Sequence, residues 1–105
     1  MHESPSTSSE YPDLVRAYEQ GRFAEVELRA RALLDGEGES PRVLNMLGLS
    51  LLGQRKADEA AEAFMNLVQR APDEASYSNN FGTALRADGR LDEADQAYAR
   101  GLELQ

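Results

Sequence analysis

The chain has no cysteine and no tryptophan, and only one histidine and one lysine among its 105 residues. Without cysteine, disulfides, thiolate nucleophiles and cysteine-ligated metal centres are excluded. The one histidine is His2, beside the initiator methionine in the serine-rich stretch MHESPSTSSE. That leaves no basis for Ser–His–Asp catalysis or for a multi-histidine metal site. No apolar run approaches the ~20 residues that a membrane-crossing helix needs. The N-terminal residues lack the basic and apolar regions of a secretory leader, so the expected setting is cytoplasmic. Eight glycines and four prolines are too few for a fibrous or disordered class. Ten arginines against one lysine point weakly to a bacterial source.

The formal charge is −8, which repels phosphate on average and argues against nucleic acid or an anionic membrane as partner. The acids cluster as Glu37/Glu39, Asp58-Glu59 and Asp92-Glu93-Asp95. These clusters fall at turns and helix starts, where carboxylates favour the helix dipole, and a catalytic carboxylate needs a cleft instead. Gly36 and Gly38 lack the Lys-Ser/Thr that would follow in a phosphate loop. No catalytic, cofactor-binding or metal-ligating residue is expected, and the chain is not read as an enzyme.

What the chain has is a repeat. Leu44-x-x-Leu47-Gly48-x-x-Leu51, then Ala60-x-x-x-Phe64, then Pro72 is followed by Ser78-x-x-Phe81-Gly82-x-x-Leu85 and Ala94-x-x-x-Tyr98. The offsets agree: 82 − 48 = 34, 94 − 60 = 34 and 98 − 64 = 34. Gly21-Arg22-Phe23 lines up with Gly89-Arg90-Leu91 two periods on. Three units follow, at about 7–40, 41–74 and 75–105, forming one domain over 10–105 behind a disordered arm at 1–9.

Apolar residues within each unit recur at helical spacing. The first unit carries Leu14, Val15 and Tyr18, then Phe23, Val26, Ala30, Leu33 and Leu34. A helix is predicted to begin near Tyr11-Pro12, with proline in its first turn. Asp35-Gly36-Glu37-Gly38-Glu39 is predicted to break the second helix, and Ser40-Pro41 reads as N-cap and first residue of the third. Asp58 is the expected cap of the fourth helix, and Gly89 stands where a left-handed C-cap would be. Arg55 stands at the turn position held elsewhere by Gly21 and Gly89, so the middle turn is expected to differ in shape.

These residues and their 34-residue spacing resemble the tetratricopeptide repeat, a helix–turn–helix unit. The resemblance implies an all-α solenoid: six antiparallel helices in three hairpins with right-handed superhelical stacking. It implies Gly48 against Ala60 and Gly82 against Ala94, with Phe64 and Tyr98 filling the space between neighbouring hairpins. Leu14 and Val26 depart from the pattern, which implies a wider first hairpin. By the same resemblance the first helices line a concave groove that takes a peptide or helix of a partner protein. The groove positions are then Tyr11, Val15, Tyr18 and Glu19 in the first unit; Arg42, Asn45, Met46, Leu49 and Leu52 in the second; and Ser76, Asn79, Asn80, Thr83 and Arg86 in the third. Asn45 and Asn79 lie one period apart, the spacing for a short asparagine ladder along a peptide backbone.

A solenoid needs a polar outer face at each end. Leu91, Tyr98, Leu102 and Leu104 instead predict an apolar C-terminal edge, open to self-association. The alternative reading is an N-terminal docking or oligomerisation module of a larger bacterial enzyme, such as a sulfotransferase, glycosyltransferase or hydroxylase.

Overall fold

The computed structural model describes residues 7–37 and 40–105. Six helices follow in order: α1 (Thr7–Glu19), α2 (Phe23–Glu37), α3 (Pro41–Gly53), α4 (Ala57–Arg70), α5 (Ala75–Ala87) and α6 (Leu91–Leu104). Among the described residues there is no strand. The Ser40 side chain caps α3 by accepting the Val43 N–H at 3.4 Å, and Pro41 opens the helix without wasting a donor.

Three helix ends differ from expectation. α1 begins at Thr7, so Pro12 lies inside it and residues 7–9 of the expected arm are helical. Proline this near the N-terminus forfeits only the bond to the Ser8 carbonyl, which leaves the rest of the ladder intact. Residues 1–6 of that arm lie outside the described residues. α2 runs on to Glu37, three residues into the glycine-acid stretch, since helix ends commonly vary by a residue or two. α4 is capped by the Lys56 backbone, and Asp58 sits inside its first turn, where its carboxylate accepts the Glu59 N–H at 2.9 Å. Closure of the preceding turn assigns Lys56 to the cap, and Asp58 serves the positive end of the dipole from within.

The three hairpin turns are one motif. Gly21 (φ 76°), Arg55 (φ 64°) and Gly89 (φ 81°) all take the left-handed conformation. In each, two backbone bonds wrap back onto the helix: Arg55 N–H to Leu52 O and Lys56 N–H to Leu51 O, both 2.9 Å, with equivalents at Gly21/Arg22 and Gly89/Arg90. This six-to-one and five-to-two pair is the Schellman closure. The middle turn therefore has the shape of the others, contrary to expectation. Its paired backbone bonds hold a side-chain-bearing residue where that conformation costs about 1–2 kcal/mol.

Packing within the hairpins rests on an exchange of size. A Cβ placed on Gly48 would lie 2.5 Å from the Phe64 ring, and one on Gly82 would lie 2.8 Å from the Tyr98 ring. The aromatic of each second helix thus lies across the glycine of its own first helix. The predicted Gly48–Ala60 and Gly82–Ala94 approaches are taken by these rings, because a flat ring fills the space above a bare backbone better than a methyl does. The first hairpin reverses the sizes. Leu14 stands in the register of the two glycines, and Ala30 in that of the two aromatics. Both are fully buried, at 1% and 0% exposure. The departure from the family pattern is thus compensated inside the same hairpin.

The α3 backbone runs close to both α1 and α5, whereas the backbones of α2, α4 and α6 stay apart, and the Arg31–Glu59 ion pair at 3.4 Å reaches from α2 to α4. The first helices are gathered on one side and the second helices splay on the other. A stack crowded on one side curves toward it, so α1, α3 and α5 line the concave face.

Candidate protein-binding face

At one end of the concave face, the N-terminal turn of α3 meets α1, and α5 packs on the far side of α3. The Arg42 guanidinium lies over the Tyr11 ring, 4.0 Å from its centroid, a cation–π contact. Tyr77 adjoins them from α5. Its hydroxyl is held above the ordinary tyrosine range, first by burial, then by the charges of Glu74 and Tyr11, with Arg42 opposing. Among the described residues no carboxylate pairs with Arg42, and its edge stays exposed.

Further along, Asn80 donates through Nδ2 to Asn45 Oδ1 at 2.9 Å, tying α5 to α3. Val15, Tyr18, Leu49 and Leu52 are half-buried against the core. They leave apolar area on the face between the polar residues. Thr83 donates to the Asn79 carbonyl at 3.1 Å and meets the Tyr98 hydroxyl at 3.2 Å. Ser76 donates to Glu74 at 3.3 Å. Glu19 and Arg86 are exposed.

Two of the predicted positions stand elsewhere. Met46 is 3% exposed and belongs to the core, buried in the same apolar cluster as Val43, Leu44 and Leu47 of its helix. Asn79 turns into its own hairpin: a Cβ on Gly101 would meet its Oδ1 and Cγ. The two ladder asparagines therefore do not form a row. Asn45 pairs with Asn80, at an offset of 35, because bonding between units joins neighbouring helix faces rather than equivalent positions. Tyr77 was not singled out from sequence. Its signal was available, an aromatic in the first turn of a first helix.

A second set of polar contacts crosses the joint between the first two hairpins. Glu27 on α2 accepts from Gln54 Nε2 at 2.9 Å and Lys56 Nζ at 3.2 Å, and pairs with Arg31 at 2.9 Å. Its carboxyl is held at about 2, first by the Gln54 bond and then by Arg31 and Lys56, against the opposing cost of burial. Away from the concave face lie two clefts of about 350 and 320 Å³. Leu34, Leu47 and Leu51 line one, and Val68, Phe81 and Leu85 line the other, each pair 34 residues apart. Among the described residues no group of side chains is arranged to hold a metal ion, and no helix is long and apolar enough to cross a membrane.

Six helices in three equivalent hairpins, joined by repeated turns and repeated size-matched pairs, define an α-helical repeat solenoid. The family model for the tetratricopeptide repeat matches residues 15–64 and 45–105. The chain belongs to the tetratricopeptide-repeat family. No curated protein matches it. Such repeats generally mediate protein–protein interaction and typically serve as non-catalytic scaffolds.

Proposed function

We propose that this chain is a non-catalytic interaction module that takes a peptide or helix of a partner protein on its concave face. The observation that carries this reading is the pairing of chemistries there. Half-exposed Val15, Tyr18, Leu49 and Leu52 offer an apolar floor, beside an Arg42 that is stacked on Tyr11 and has no carboxylate partner among the described residues. An apolar floor with a fixed cation at one end suits an amphipathic segment bearing an acid. The Asn45–Asn80 pair keeps one acceptor and one donor sense for a backbone. A lone short peptide in such a groove would bind in the micromolar range, about −8 kcal/mol.

The test is a capture experiment from lysate of the source organism with three baits: the natural chain, Arg42→Ala/Asn45→Ala, and Leu28→Lys on the opposite face, where Leu28 is 72% exposed. A protein held by the first and third and lost by the second supports the concave face. Equal capture by all three moves binding elsewhere and ends this reading. A second reading, a docking module beside a catalytic domain, is favoured by the exposure of Leu91 (58%) and Leu102 (72%) at the C-terminal face.

A further inference from the structure

The two clefts away from the concave face are one feature repeated, and they differ in what their walls leave unbonded. One lies among α2, α3 and α4, the other among α4, α5 and α6. The first stays open, at about 350 Å³, with a further hairpin stacked beside it. The second, at about 320 Å³, therefore owes its opening to the shape of the joint, which a following hairpin does not cover. In the first cleft Arg31 on α2 and Glu59 on α4, both lining residues, are joined by an ion pair. The second has no such tie among the described residues. Met65 holds the Arg31 position (65 − 31 = 34), and Glu93, in the Glu59 position, is held by Arg90 through two bonds of 2.9 Å.

The floor of the second cleft carries Leu85, Ala97 and Ser78. Ser78 stands where the first cleft has Leu44 (78 − 44 = 34) and is 4% exposed. Ser50, also buried, donates to the Leu47 carbonyl at 2.8 Å. The Ser78 hydroxyl makes no hydrogen bond among the described residues, and its oxygen is not sealed from the cleft. A nearly buried hydroxyl without a partner favours an occupant that supplies one. At the rim Arg100 is paired with Glu103 at 3.2 Å, as Glu93 is with Arg90, so no unpaired charge calls for a charged occupant.

We infer that the cleft among α4, α5 and α6 seats one tyrosine side chain of a partner protein, its ring against Phe81 and Leu85 and its hydroxyl bonded to Ser78. A benzene-sized ring needs a cavity of about 150 Å³, so the cleft has room for the ring and its hydroxyl. Tyrosine is uncharged, and it carries its polar group at the far end of the ring, where a hydroxyl on the floor is reached. A free small molecule is a poorer occupant. Such ligands are held with about 70–90% of their surface buried, whereas exposed Pro72, Glu93, Gln96 and Arg100 leave this cleft open on one side. A tyrosine side chain is covered on that side by its own segment.

The probes are N-acetyl-tyrosine amide, its phenylalanine counterpart and p-cresol, each titrated against the full chain and followed by amide NMR shifts. The blocked tyrosine should shift Ser78, Phe81, Leu85 and Ala97 in a saturable way, with a Kd of about 1–10 mM. The blocked phenylalanine should bind about 3–10-fold more weakly, for want of one hydrogen bond. Ser78→Ala, checked for unchanged helicity, should lower the tyrosine probe to the affinity of the phenylalanine probe and leave the latter unchanged. Equal affinity of the two probes for the natural chain, or equal weakening of both by Ser78→Ala, overturns the assignment. So do shifts of the same size around Leu34, Leu47 and Leu51, or confined to the concave face, or no saturable shift at all. The blocked tyrosine should also bind more tightly than p-cresol, its amides meeting the rim. The reverse order, or equality, gives the cleft to a free phenol and removes the partner's tyrosine.

Discussion

The Phe64 ring occupies the space that any side chain at residue 48 would need, with its Cε1 and Cζ 2.5 Å from where a Cβ would stand. Phe64 is 0% exposed, so it cannot swing into solvent to make room. Gly48→Ala should therefore destabilise by about 1–3 kcal/mol, over-packing outweighing the ~1 kcal/mol that alanine gains in a helix. At Gly82 the facing ring is Tyr98, which is half-exposed at the open end and has room to tilt. Gly82→Ala should lie much nearer neutral. Urea unfolding of both variants decides it, and equal losses would contradict the difference in confinement.

The exchange of sizes in the first hairpin makes a sharper case. Leu14→Gly leaves a cavity and should cost roughly 3–5 kcal/mol, while Ala30→Phe alone forces a ring against Leu14. The double variant restores the glycine–aromatic pair of the other two hairpins. It should be more stable than either single variant, with a coupling of about 2 kcal/mol in a double-mutant cycle. Additive losses would show that Leu14 and Ala30 do not share one space.

Arg55 holds a left-handed turn at φ 64° that glycine holds in the other two. Arg55→Gly should stabilise by about 0.5–1 kcal/mol, the relief of strain exceeding the added freedom of the unfolded chain. Arg55→Val should destabilise, since a β-branched residue fits that conformation worst. Thermal unfolding should move up by a few degrees for the first variant and down for the second, at about 4 °C per kcal/mol for a chain this size.

Glu27 links stability to acid. Its carboxyl is held at about 2 in the folded protein against an ordinary 4.5. The folded state prefers the ionised form, so the stabilisation is fully present above about 4.5 and is lost as the pH falls toward 2. Lys56 and Arg31 are 42% and 47% exposed, so solvent screening keeps its size on the order of 1 kcal/mol. Glu27→Gln should flatten the stability profile over that window and leave the neutral-to-basic limb parallel to the natural one. Unfolding midpoints in urea from pH 2 to 7 report this, and an unchanged acid limb would remove Glu27 from the account.

Much of the fold was legible because its determinants are local. The Ser40-Pro41 cap, the glycine turns and the 3.6-residue apolar spacing act within a few residues and are written in the order of the chain. The Arg55 turn was misjudged because residue type suggested a difference that the backbone bonds override. The groove was legible only as a face. Its positions come from the period, but burial of Met46 and the inward turn of Asn79 depend on how far one hairpin is rotated against the next.

The sequence by itself determined the unit, its length and its number, the turns at Gly21 and Gly89, and the Ser40-Pro41 start of α3. A recurrence of 34 carries that information without any contact being known. Only the tertiary structure decided which side chains meet between units: Phe23 on Gly53, Asn80 on Asn45, Lys56 on Glu27. Those meetings depend on the angle at which hairpins stack, and that angle is set by the summed volumes of buried side chains rather than by any one spacing along the chain.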